Sequence, residues 1–135
     1  MHTNIDIVLI KDPFLTKANK NSGPPYDVIL IQHQDRSVYV LEIAIAGFKQ
    51  EHLKVEMIDQ YLQVSAESFN PYQEHGVWAL FLHKGLARRA FKHVFKVSAE
   101  LILQDQVQFL DGILTIIFIK KNTFTCKKVL KINDM

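Results

Sequence analysis

Gln106-Val107-Gln108-Phe109-Leu110-Asp111-Gly112-Ile113-Leu114-Thr115-Ile116-Ile117-Phe118-Ile119 decides how this chain folds. Two apolar runs flank an Asp-Gly pair, a dipeptide that tolerates the two left-handed residues of a tight hairpin. The segment reads as strand Gln106 to Leu110, turn at Asp111-Gly112, strand Ile113 to Ile119. Beyond it, Lys120-Lys121-Asn122-Thr123 is polar, and an isolated apolar pair stands further on in Leu130-Lys131-Ile132. Two apolar side chains on a polar tether cannot bury each other well enough to fold. They read as a hook that docks in a groove on another subunit.

Upstream the apolar residues recur with period two, as in half-buried strands. Val28 to Ile31 is a short strand, and Gln34-Asp35-Arg36 turns it into a long β-branched run, Ser37 to Ala46, closed by Gly47-Phe48. Leu53, Val55 and Met57 alternate with Lys54 and Glu56, and Asp59-Gln60 turns into Tyr61 to Ala66. Phe91, His93, Phe95 and Val97 alternate again. Residues 67–80 hold a Pro, a Gly and three aromatics without a period, which predicts a long loop with an embedded edge strand. Phe81 to Ala90 is ambiguous, and Ser98 to Leu103 admits one helical turn. Seven or eight short strands separated by turn signals predict an all-β, antiparallel β-sandwich of immunoglobulin-like type. Gly23-Pro24-Pro25 is stiff punctuation and marks the start of the domain. The expected organisation is a flexible N-terminal arm over residues 1–23, a domain over 24–120, and a flexible C-terminal tail over 121–135 that carries the hook.

At 135 residues with 48% hydrophobic content, the chain suits one domain with a packed core. Sixteen basic and 14 acidic residues, mostly interspersed, give no electrostatic case for nucleic acid or an anionic membrane. The single Cys126 excludes an intramolecular disulfide and fits a reducing compartment. No apolar run approaches the roughly 18–20 residues of a membrane span. The run Ile7 to Ile10 follows Asp6 and lacks the basic flank and cleavage site of a signal peptide, so the expected location is the cytoplasm. The six histidines show no metal-motif spacing, no Gly-x-Ser-x-Gly elbow is present, and no glycine-rich phosphate loop appears. The expectation is a non-enzyme with no cofactor and no metal.

The order and spacing of several segments resemble the small heat-shock protein (α-crystallin) family, in particular the bacterial type found on inclusion bodies. They are Pro24-Pro25-Tyr26-Asp27-Val28, Ala44-Ile45-Ala46-Gly47-Phe48, Leu53-Lys54-Val55-Glu56 and Gly85-Leu86-Ala87-Arg88-Arg89-Ala90-Phe91. Asp111-Gly112-Ile113-Leu114-Thr115-Ile116 and Leu130-Lys131-Ile132 complete the set, which runs from Pro24 to Ile132.

The resemblance implies an α-crystallin domain and an ATP-independent holdase chaperone of the stress response, which binds non-native clients and limits their aggregation. It implies self-association: a dimer built by exchange of the loop strand, with Phe69, Tyr72, Trp78, Arg89 and His93 at the interface, and higher homo-oligomers. In these, Leu130 and Ile132 anchor into a groove walled by Val55, Met57, Val107 and Phe109. The resemblance also implies hand-over to ATP-dependent chaperones downstream. Ile5, Ile7, Leu9, Phe14 and Leu15 form an expected client-binding arm. The chain departs from the family pattern in three places. His93 stands where Phe-x-Arg-x-Phe has its arginine, Val107 replaces a small residue, and the exchange loop is longer. The alternatives are a monomeric co-chaperone or scaffold module, which has no use for Leu130 and Ile132, and a sandwich enzyme or sugar-binding domain, which needs convergent polar residues in a pocket.

Overall fold

The computed structural model describes residues 14–20, 23–86 and 88–121. Nine strands follow one another: β1 (Leu15–Lys17), β2 (Tyr26–His33), β3 (Arg36–Ala44), β4 (Leu53–Ile58), β5 (Tyr61–Ala66), β6 (Phe91–Val97), β7 (Leu101–Leu103), β8 (Gln108–Leu110) and β9 (Ile113–Lys120). A 3-10 turn (Gln50–His52) and a short α-helical turn, α1 (Pro71–Glu74), interrupt them. All pairings are antiparallel and make two sheets, one in the order β1-β6-β5-β4 and one in the order β2-β3-β9-β7, with β8 also on β9. The structure is thus the antiparallel β-sandwich that period two predicts.

The core follows from that period. Side chains alternate across a strand, so every second residue faces the partner sheet. Tyr39, Leu41 and Ile43 of β3 pair in register with Phe118, Ile116 and Leu114 of β9, and all six are buried. Leu62, Val64, Phe95 and Val97 answer them from the other sheet. Each such side chain stabilises the fold by roughly 1.5–3 kcal/mol relative to an exposed position.

The Asp111-Gly112 turn has the expected geometry. Both residues have positive φ, 54° and 78°, with Leu110 and Ile113 paired across them. The Gly112 carbonyl accepts from the Ile45 backbone N–H at 2.8 Å, which ties the hairpin to the end of β3.

Three elements differ from the sequence reading. β1 lies ahead of Gly23, in residues assigned to the arm, yet it is a strand of the sheet: Leu15 pairs with Val97 and is buried. Asn19 continues the pairing with its side chain, accepting from the Val94 N–H and donating to the Lys92 carbonyl. The strand expected within residues 67–80 is absent from the described residues, where Asn70 instead caps α1 by accepting from Tyr72 and Gln73 N–H groups. Asn followed by Pro at the first helical position favours a helix start over an extended strand. The turn expected over Ser98 to Leu103 spans only Ser98 to Leu101, after which β7 pairs with β9.

Gly112→Ala is expected to cost about 1–3 kcal/mol of stability, because an alanine there is strained at positive φ. Its Cβ would also sit 3.0 Å from the Ala46 Cβ. A lower urea midpoint with unchanged slope is the expected result; an unchanged midpoint refutes it.

Candidate functional site

The segment between β5 and β6 is fixed at its root and open beyond it. Phe69 packs on Phe48 with ring centroids 5.4 Å apart and stacks on His52 at 3.9 Å. The backbone N–H of Lys49 donates to His52 Nδ1, so the ring proton sits on Nε2 and is donated to Glu74 at 3.1 Å. With Glu51 these side chains bring three ligand-type atoms within 4.8 Å of one another. A metal at His52 Nε2 would have to displace that proton and break the Lys49 bond, so the group works as a fastener for the loop.

Past α1 the segment stops covering its own apolar side chains. Trp78 is 84% exposed and Leu82 93%, and Val77, Leu80 and Leu86 are also exposed. A run of this kind is far more than scattered surface leucines and marks an interaction surface. Of the five expected dimer contacts, Tyr72, Trp78 and Arg89 are exposed, while Phe69 is half-buried against Phe48 and Phe91's neighbour His93 is fully buried. Arg89 borders a cavity of about 350 Å³ lined by Pro24, Ile45, Phe48 and Phe91. Sequence reasoning stopped at Trp78 and missed Leu80, Leu82 and Leu86. The signal was there: apolar residues between Gly76 and Gly85 that match neither strand nor helix period.

Three of the four expected groove residues, Val55, Met57 and Phe109, sit on edge strands, and Val107 just precedes β8. β4 ends the four-stranded sheet, and its Val55 and Met57 pair with Val64 and Leu62, which are fully buried. Val55 and Met57 therefore lie on the inward side of an edge strand. Phe109 of β8 likewise pairs with the buried Leu114. Val55 and Phe109 both pack against the one core cluster, half-buried, whereas Met57 and Val107 are exposed. Apolar, partly uncovered side chains at the rim of a sandwich leave room for further apolar groups. The expected anchor, Leu130 and Ile132, and Ile5, Ile7 and Leu9 of the expected arm lie outside the described residues. Phe14 packs against the core and Leu15 is part of it, so in this state neither is free to meet a client.

His93 is not on a surface. It is 1% exposed, edge-on to Tyr26, between Phe91 and Phe95. Nε2–H donates to the Pro24 carbonyl at 2.7 Å, leaving Nδ1 as the bare, buried nitrogen without a hydrogen-bond partner. A Cβ on Gly23 would lie 2.8 Å from the ring, so the glycine is required for the segment to close over it. Burial pushes the imidazole below its ordinary value; the Pro24 hydrogen bond opposes this and the charge of Lys17 adds to it. An arginine could not occupy this closed site without an acceptor for its other donors.

The sequence profile of the Hsp20/alpha crystallin family matches residues 31–133. Small heat shock protein IbpB of Yersinia pestis (strain Pestoides F) is 33% identical over 93 residues, 69% of this chain and 55% of that protein. The same protein of Yersinia pseudotuberculosis serotype O:3 (strain YPIII) matches equally. The chain thus spans about half the length of the curated relatives it matches. A small heat shock protein from Synechococcus phage S-ShM2 superposes with TM-score 0.56 at 23% identity, over 75% of this chain and 90% of that one. One from Xylella fastidiosa gives 0.57 at 17%, over 75% and 88%. At such identities the structural likeness speaks for the fold.

The depressed His93 pKa has a pH consequence. Above the ordinary value of 6.5 both folded and unfolded states carry a neutral ring, and His93 contributes no slope. Below it the unfolded chain takes up the proton first, so stability falls as pH drops from 6.5 toward the folded-state pKa. Urea melts at pH about 7.5 and 5.5 are expected to differ more for the native chain than for His93→Gln, which keeps the Pro24 donor and cannot charge. Equal differences in the two proteins refute the assignment.

Proposed function

The chain belongs to the Hsp20/alpha crystallin family, and on that premise we propose that it is an ATP-independent holdase, binding non-native proteins and limiting their aggregation. The observation that carries this reading is the uncovered apolar run from Val77 to Leu86, with Leu82 at 93% exposure. An unfolding client exposes apolar surface, and matched apolar surface binds it without any covalent step or nucleotide. No catalytic step enters this reading, and the relatives are small heat shock proteins.

Such surface needs protection from uncontrolled association, and self-assembly supplies it. In a dimer, the segment after Gly76 adds as a strand to a second copy; β2 ends the five-stranded sheet and offers an eight-residue edge for it. In larger assemblies Leu130 and Ile132 dock against Val55, Met57, Val107 and Phe109, each gaining roughly 1.5–3 kcal/mol before ordering costs. Backbone pairing along the edge of β4 adds hydrogen bonds by β-augmentation. The net per site is small, so sites open and close, and subunit exchange exposes client-binding surface. Ile5, Ile7 and Leu9 form the client-facing arm, joined by Phe14 and Leu15 only where β1 peels from β6. The working location is the cytoplasm, with hand-over of clients to ATP-dependent chaperones. Among the described residues no helix is long and apolar enough to cross a membrane.

Light-scattering mass of the native chain beside a Leu130→Ala/Ile132→Ala variant tests the assembly. A large particle that collapses to dimers in the variant supports it; a native chain that is already monomeric favours a co-chaperone or scaffold module. Suppression of client aggregation tests the activity: Leu82→Ser and removal of residues 1–13, which spares β1 and the buried Leu15, are each expected to weaken it while the melting profile of the domain survives. Undiminished suppression in both refutes the assignment of client contacts.

A further inference from the structure

The two sheets have outward faces of different chemistry. On the four-stranded sheet the outward positions are mostly polar, Lys54, Glu56, Gln63, Ser65, Lys92 and Lys96, with Ile58, Tyr61 and Val94 scattered among them. The five-stranded sheet is unlike it. Its inward residues on β3 and β9 are Tyr39, Leu41, Ile43, Leu114, Ile116 and Phe118, so their neighbours point out. Register then aligns Ile31, Val38, Ile119 and Ile102 in one row across all four strands, and Ile29, Val40 and Ile117 in the next. Every member of both rows is isoleucine or valine. At the two edges Ile31 is 48% exposed and Ile102 46%; between them Val38, Ile117 and Ile119 are half-buried and Val40 is down to 9%. The row beyond is polar, Asp27, Glu42, Thr115 and Gln108, and hems the patch. Antiparallel sheets with one solvated face alternate apolar and polar residues; through these two rows the strands do not, which marks a face meant to be covered.

The positions where the described chain begins and ends identify the cover. The Phe14 carbonyl accepts from Ser98 N–H, the Lys120 ammonium lies 4.4 Å from the Phe14 ring, and Lys121 N–H donates to the Glu100 carbonyl. Ile119 and Ile102, the end of the first row, are the residues next to Lys120 and Leu101, which pair there. Phe14 therefore enters the sandwich at the border of the patch. Only Lys11-Asp12-Pro13 separates it from Ile5-Asp6-Ile7-Val8-Leu9-Ile10, five of whose six residues are apolar. Four residue steps reach about 13 Å, and four strands at about 4.8 Å spacing are about 15 Å across. The tail that leaves at Lys121 starts at the same border, but its first residues are Lys121, Asn122 and Thr123, and its apolar pair lies nine residues on at Leu130.

We propose that residues Ile5–Ile10 lie across the outward face of the five-stranded sheet of their own chain, on the rows formed by Ile29, Ile31, Val38, Val40, Ile102, Ile117 and Ile119. The proposal rests on the holdase reading only for its consequence: an arm held on its own domain is withheld from clients, so client binding competes with this resting contact. The coverage itself stands apart from that activity.

The test is proximity in the full chain carrying Cys126→Ser. Ile7→Cys with Ile102→Cys, under mild oxidation, is expected to give a disulfide within one chain, seen as a faster-running band at single-chain mass on denaturing gels. Ile7→Cys with Gln63→Cys, on the outward face of the other sheet, is the control and is expected to give none. A product of twice the chain mass from mixed single-cysteine chains, in place of the internal one, overturns the proposal in favour of a second copy as the cover. Equal yields at Ile102 and Gln63, or no product at either, overturn it outright. As a readout independent of new cysteines, amide exchange in residues 4–11 is expected to speed up in Ile117→Ser; an unchanged rate counts against the contact. Loss of aggregation suppression without loss of the cross-link would count against the holdase reading alone.

Discussion

The antiparallel pairing of β3 with β9 is the constraint on which the rest depends. Seven residue pairs, from Val38 with Ile119 to Ala44 with Ile113, set which side chains enter the core. A slip of one residue would turn every one of them over. In most half-buried sheets the hydrophobic pattern forbids that slip, but here the outward neighbours Val38, Val40, Ile117 and Ile119 are apolar too. Register must be held by other means. Two are visible: the tight Asp111-Gly112 turn, locked against Ala46 and Ile45, and the polar Glu42–Thr115 pair, which tolerates only the outward side.

Much of this was legible in the sequence, because strands announce themselves by period two. Tyr61 to Ala66 matched residue for residue, and the Asp-Gly hairpin was read in place. β1 was not legible for a physical reason. Phe14-Leu15-Thr16-Lys17 has no signal of its own length; it becomes a strand because β6 has a free edge and Leu15 a place beside Val97. His93 was readable as an inward position of an alternating strand, yet not as buried beneath Gly23 and Pro24, since that closure joins residues about seventy positions apart. Val55, Met57, Val107 and Phe109 came as a groove from the family resemblance alone, since a strand's place at a sheet edge is not written in its own residues. The extent of the exposed run to Leu86 was not, because aperiodic apolar residues give no hint of whether their own chain covers them.

The apolar surface of this protein is divided into kinds that differ in how easily they open. The core is closed by both sheets. Val55 and Phe109 are half-closed at the rim, and the Val77–Leu86 run is open but tethered by Phe69, His52 and Glu74 at one end and by Arg88 near Gly47 at the other. Anchoring both ends of the loop shortens the stretch that a partner has to order, which keeps the chain-entropy cost of docking modest.

The meeting of Phe14 with Lys120 and of Glu100 with Lys121 has a topological consequence. The folded unit is close to a closed ring: its first and last strands end side by side, although more than a hundred residues separate them in sequence. A short covalent bridge between those ends, with the chain opened instead near Gly76, would leave all seven strand pairings intact. The order in which the strands are synthesised is then separable from the architecture they build.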